Sequence, residues 1–142
     1  MVSLNKIKKI DSNQKRGVEK VVKGLGIDII EISRIAKAIE RNPKFLLRVY
    51  TDYELESVKG KNNYSNTLAG YFAAKEAVSK SLGIGIGKIE WKDIEVRKDF
   101  YGKPYIKLHN NAEKIAYSKH ICEILISISH SKDNAIAQAI AI

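Results

Sequence analysis

The chain has 142 residues, 44% of them hydrophobic and 29% charged, with two prolines and a net charge of +9 from 25 basic and 16 acidic side chains. That length suits one domain burying on the order of two thirds of its unfolded surface, and the composition excludes a disordered or fibrous chain. The lone Cys122 excludes an internal disulfide, no run approaches the roughly 18 apolar residues of a membrane span, and the first ten residues interleave lysines with apolar side chains rather than building a secretory core. A cytoplasmic protein is expected, with no membrane partner, and the excess charge points to an acidic ligand or partner, although lysines also keep small proteins soluble.

Residues 1–22 carry six Lys/Arg against Asp11 and Glu19, with weak helical spacing through Leu4, Ile7 and Ile10. They read as a loosely ordered basic extension ahead of a domain over 23–142. From Val21 to Ile30 the chain is rich in β-branched residues, which predicts a strand. Ile32, Ile35 and Ile39 then recur at i, i+3 and i+7, predicting a helix that Asn42-Pro43 breaks. Thr51-Asp-Tyr-Glu54 matches a capping box and opens a short helix ended by Gly60, and 61–66 form a polar loop. Thr67–Leu82 is Ala-rich, closed by Gly83, and predicts a long helix followed by a Gly83–Gly87 turn.

The C-terminal half reads as mostly strand. Trp91–Arg97 and Tyr105–His109 flank a hairpin connection longer than the two-residue kind. A helix over Asn111–Lys119 precedes a second hairpin, Glu123–His130 and Ala135–Ile142. The last strand sets Ile136, Ile140 and Ile142 on one face and four alanines on the other, so the long helix is expected to pack closely on the alanines. No internal repeat or second domain is evident.

Two carboxylates sit where they are costly. Gly26-Ile-Asp28-Ile-Ile-Glu31 places Asp28 inside an apolar strand, a position strands disfavour and burial penalises. On the long helix Leu68, Phe72, Glu76 and Lys80 follow at i+4 steps along one ridge. Since half the ridge is apolar, it is expected to pack inward and carry Glu76 toward the interior or a cleft wall. Each residue has an ordinary explanation: a surface Glu–Lys pair is worth only about 0.3–0.5 kcal/mol, and backbone amides can satisfy an aspartate at a strand end. Together they suit a hard cation that takes oxygen ligands and keeps waters, namely Mg²⁺, with substrate phosphates completing the shell and Lys80 holding a phosphate as a point charge.

Other motifs are weaker. Gly83–Gly87 follows a helix and lacks both the G-x-G-x-x-G spacing and a Gly-Lys-Ser/Thr ending, so it is not a dinucleotide or P-loop fingerprint. His109, His120 and His130 lack zincin spacing, and no Ser-His-Asp arrangement stands out. His130, at a strand end, lies where ligands are commonly met.

Gly26-Ile27-Asp28 followed by Phe72-Ala-Ala-Lys75-Glu76-Ala-Val-Ser-Lys80 resembles the bipartite signature of the 4′-phosphopantetheinyl transferase superfamily, specifically its compact holo-acyl-carrier-protein synthases. The likeness extends through 24–35, 82–87, 93–97 with 102–105, and 128–132 with 137–138, in family order. It implies an α+β fold, an antiparallel sheet wrapped on a long central helix. It also implies Mg²⁺-dependent transfer of phosphopantetheine from coenzyme A to a serine of apo-acyl carrier protein, releasing adenosine 3′,5′-bisphosphate.

By resemblance Asp28 and Glu76 are metal ligands, and with Lys80 they form the catalytic group. Lys75, Lys80, Gly83, Gly85, Lys103, Pro104 and His130 would contact coenzyme A; Arg34, Lys44, Phe45 and Arg48 would meet the acidic carrier protein. The serine proton could go to Glu76, to a metal-bound water or to a carboxylate of the partner. The resemblance further implies a homotrimer with active sites at subunit interfaces. Tyr71 departs from the pattern, standing where many relatives carry Arg, so one phosphate contact is expected to be absent or supplied by Lys61. The alternative class, a basic nucleic-acid-binding module, would require aromatics interleaved with lysines on one face, whereas the seven tyrosines are scattered. A broader transferase acting on synthase carrier domains is disfavoured because such enzymes resemble two of these modules in tandem.

Overall fold

The structure, a computed structural model, describes residues 20–142. The expected extension lies outside these residues except for its last three, of which Lys20 pairs with Glu123 at 2.9 Å. Five strands and five helices follow: β1 (Gly24–Glu31), α1 (Ile32–Arg41), α2 (Lys44–Val49), α3 (Asp52–Val58), α4 (Tyr64–Ser81), β2 (Ile94–Lys98), β3 (Pro104–Leu108), α5 (Asn110–Ser118), β4 (Ile124–His130) and β5 (Asn134–Ala141).

The predicted order is found, with three local differences. Asn42-Pro43 ends α1 but also starts α2, which was not foreseen: Asn42 Oδ1 accepts the Lys44 N–H at 3.2 Å, and proline fixes a φ suited to a helix start. α4 begins three residues earlier than expected, at Tyr64, because Asn63 O accepts the amides of Asn66 and Thr67. Trp91–Asp93 forms a 3₁₀ turn instead of opening a strand, since the Asp93 carboxylate takes the Glu90 amide and competes with ladder pairing.

β1, β5 and β4 form an antiparallel sheet in that order, and β2 with β3 a separate hairpin. α4 packs on the three-stranded sheet, chiefly against β1 and β5. Ala135, Ala137, Ala139 and Ala141 of β5 are buried beneath it, as the alternation predicted. Toward β1 the approach is closer still: a methyl group on Gly26 would stand 1.8 Å from the Ala77 carbonyl oxygen. Small residues on both sides let helix and strand touch backbone to backbone.

The opposite face of the sheet is apolar and open. Leu25, Ile27 and Ile29 are 58–64% exposed, in register across β5 with Ile140, Gln138 and Ile136. No helix of the described residues is long and apolar enough to cross a membrane.

Candidate active site

Asp28 points from β1 toward α4, level with Ala137 of β5. Lys80 compensates its charge. The Lys80 ammonium donates to Asp28 Oδ1 at 3.2 Å and to the Ile27 carbonyl at 2.8 Å, while the lysine side chain stays 51% exposed and the aspartate 19%. One turn earlier on α4, Glu76 is half-buried. Its pKa is raised above the ordinary carboxylate value, first by desolvation and then by the Asp28 charge, with Lys80 opposing the shift. Two hard oxygen donors that repel each other beside one lysine form a site whose charge a small divalent cation would balance. Among the described residues no three acidic, histidine or cysteine side chains converge on one point, so such an ion would draw most of its ligands from water or substrate phosphates, as Mg²⁺ does.

The ridge carrying Glu76 runs from buried to exposed along α4 rather than forming its innermost face. Leu68 is buried, Phe72 and Glu76 are partly covered, and Lys80 is exposed. Phe72 stacks on Trp91 at 4.6 Å between ring centroids and faces Phe45 at 6.3 Å, giving an aromatic wall one turn before Glu76. Phe45 therefore presents only part of its ring outward. Arg34, Lys44 and Arg48 project from α1 and α2 as exposed cations, and no ion pair joins them to an acid among the described residues.

Lys75 is the clearest correction. It was expected to meet coenzyme A phosphates, but its side chain is 0% exposed and its ammonium is saturated, by Glu54 Oε1 at 2.7 Å, the Ile94 carbonyl at 2.5 Å and the Trp91 carbonyl at 3.2 Å. Glu54 is equally buried and also accepts the amides of Thr51 and Val96 at 2.9 and 2.8 Å. The pair ties α3, α4 and β2 together and leaves Lys75 no donor for a ligand.

A cleft lies on the far side of α4. Tyr71, Lys98, Gly102, Pro104, Ile128 and His130 line about 190 Å³ there. His130 Nε2 lies 2.8 Å from the Asn66 carbonyl, a hydrogen bond in which the ring N–H donates. It fits against α4 because position 70 is glycine: a Cβ there would stand 2.9 Å from Nε2. Tyr71 is buried, with its hydroxyl 3.4 Å from Ser57 Oγ, and Lys61 is not part of the lining. Lys103 is exposed in the β2–β3 turn beside Pro104. Gly83 lines a different opening of about 510 Å³ with Lys23, Lys80 and Lys119, whose ammonium donates to the Leu82 carbonyl; Gly85 is exposed in the turn beyond and lines neither cleft.

Asp28 on β1 and His130 on β4 stand on opposite edge strands of one sheet. Two strand spacings across the sheet, about 10 Å, a two-residue offset along it and the body of α4 separate them. Lys98 and Trp91 were not singled out from sequence. A cation beside the Gly-Lys-Pro turn and the chain's single tryptophan were the available signals.

The family model of the 4′-phosphopantetheinyl transferase superfamily matches residues 24–139. The chain belongs to that superfamily. It is 63% identical over 121 residues to the holo-[acyl-carrier-protein] synthase of Alkaliphilus metalliredigens, covering 85% of this chain and 99% of that protein. Among solved structures, the holo-[acyl-carrier-protein] synthase of Neisseria meningitidis superposes with a TM-score of 0.80 at 30% identity, over 86% of this chain and 99% of that one. The Helicobacter pylori enzyme in complex with coenzyme A gives 0.74 at 37% identity, over 83% and 99%.

Proposed function

We infer that this chain transfers the 4′-phosphopantetheine group of coenzyme A to a serine of apo-acyl carrier protein, giving the holo-carrier and adenosine 3′,5′-bisphosphate. The observation that carries it is the Asp28–Glu76–Lys80 group on α4 and β1, in a chain this similar to holo-acyl-carrier-protein synthases over almost their whole length. Asp28 and Glu76 would hold Mg²⁺, which when bound supplies charge neutralisation on the coenzyme A pyrophosphate. Lys80 is the mobile cation of the site: half-exposed, it can leave Asp28 for a phosphate oxygen and offset the charge that grows as the serine oxygen bonds phosphorus and the bond to the leaving phosphate breaks. The basic charge needs no nucleic acid to account for it. Arg34, Lys44 and Arg48, with the outward part of Phe45, offer a positive and partly apolar face to an acidic carrier, which would quicken association and weaken with salt.

We further propose a homotrimer acting in the cytoplasm. Two features support the assembly: the open apolar face of Leu25, Ile27 and Ile29, and the separation of the carboxylates from the His130 cleft, which leaves one coenzyme A to be held between copies. The single free Cys122 suits a reducing compartment. Incubation with coenzyme A, Mg²⁺ and apo-carrier protein should raise the carrier mass by about 340 Da, the phosphopantetheine increment. An unchanged mass with every divalent ion tried would refute the function, and a monomer in sedimentation at working concentration would refute the assembly.

A further inference from the structure

The chain leading into β1 arrives from the far edge of the sheet. Lys23 donates its amide to the Ala141 carbonyl of β5 at 2.8 Å, and three residues earlier the Lys20 ammonium reaches Glu123, just before β4, at 2.9 Å. Glu123 stands on the wall of a groove of about 530 Å³ between β3, α5 and the start of β4. Ile106, Leu108, Ile121 and Ile124 give the groove an apolar lining, and Tyr117 beside them is 84% exposed. β3 pairs only with β2 and β4 only with β5, so both strands bring a free backbone edge to the groove. Among the described residues no backbone hydrogen bond joins them. Free edges beside apolar surface are a liability unless a strand, helix or loop covers them.

The charge of the groove indicates its occupant. Glu113 and Glu123 line it against the single cation Lys107. They disfavour an acidic partner, and a second copy of the groove would set the same acids against each other. Residues 1–19 carry five Lys/Arg against Asp11 and Glu19, and Leu4, Ile7 and Ile10 recur at three-residue steps among Lys6, Lys8 and Lys9. That spacing puts the three apolar side chains on one side of a helical turn, the pattern of segments that lie in apolar grooves. Reach is ample: the ten residues from Ile10 to Lys20 span up to about 33 Å when extended, and Lys20 is already held at the groove wall.

We propose that the segment preceding Lys20 docks back on its own chain, with Leu4, Ile7 and Ile10 in the groove between β3 and β4 and its lysines beside Glu113 and Glu123. Docked there, it covers the two strand edges and ties the β2–β3 hairpin to the three-stranded sheet. The groove shares no lining residue with the His130 cleft and none with the Asp28–Glu76–Lys80 group, so the contact stands apart from the transfer inferred above.

The test uses Cys122, the only cysteine of the chain, which lines the groove and is exposed in the described residues. In the full chain its thiol should react with iodoacetamide about tenfold more slowly than in the Leu4→Asp, Ile7→Asp, Ile10→Asp variant, at every protein concentration. In a second experiment Ile7→Cys should close an intrachain disulfide with Cys122 on mild oxidation, read by mass spectrometry of the linked peptides. Adding Leu4→Asp and Ile10→Asp should slow that closure about tenfold, whereas a tether without docking would close at the same rate. Equal reactivity of Cys122 in wild type and the aspartate variant would overturn the docking. So would protection that fades on dilution or a disulfide formed only between chains, either of which would put the segment on another copy.

Discussion

α4 carries two lysine–carboxylate pairs, and the contrast between them separates structure from function. Lys75–Glu54 is fully buried, and both partners are saturated by further hydrogen bonds to the backbone of neighbouring elements. Lys80–Asp28, one and a half turns further on, is half open and stands beside a second carboxylate, Glu76, that it does not neutralise. Burial makes the first pair costly to break and unable to respond to a ligand; exposure makes the second weak as a tie and available as a site. The pairs are alike in chemistry, so environment rather than residue type decides which one can act.

The largest expected effect is on the buried pair. Lys75→Met strands the Glu54 charge in the core and should cost about 3–5 kcal/mol in urea unfolding, whereas combining it with Glu54→Leu should recover only part of that loss, because the Thr51 and Val96 amides then lose their acceptor. Recovery of stability without recovery of transfer would show that the pair also positions α4 for the reaction and would break the separation drawn here. Next comes Lys80→Met, which should leave stability within about 1 kcal/mol of wild type and lower kcat/KM about a hundredfold. A fall in stability as large as that of Lys75→Met would erase the contrast.

The smallest effect concerns Glu76. A carboxyl whose folded pKa lies above its unfolded value is penalised while charged, so at pH 7 Glu76 costs stability, and the cost disappears as pH falls through its raised pKa. Glu76→Gln should therefore raise Tm by about 2 °C at pH 7, with the gain shrinking in more acidic buffer, while abolishing transfer. Melting curves of the two proteins across that range check the sign.

Much of this contrast was legible in sequence, unevenly. Asp28 betrayed itself by sitting in an apolar strand, and the spacing from Glu76 to Lys80 put both on one ridge. The alanines of β5 announced the close approach of α4. Lys75 was misread because α4 is buried on most of its circumference: where alanines cover nearly every face, helical periodicity does not mark which side is innermost. Its partner Glu54 looked like an ordinary capping-box residue. The second role of that carboxylate, toward Lys75 and Val96, depends on contacts 21 and 42 residues away, which local patterns do not encode. α2 was missed because a proline read as a stop also serves as a start. The placing of Asp28 and His130 on two edge strands follows from strand order, β1-β5-β4, which is a property of topology rather than of any motif.

The most direct test of the account is made at Asp28, by mass spectrometry of apo-carrier protein after incubation with coenzyme A, Mg²⁺ and either wild type or Asp28→Asn. The wild-type chain should add about 340 Da, and the variant, correctly folded by circular dichroism, should transfer at least about a thousandfold more slowly. Transfer by Asp28→Asn at the wild-type rate would contradict it.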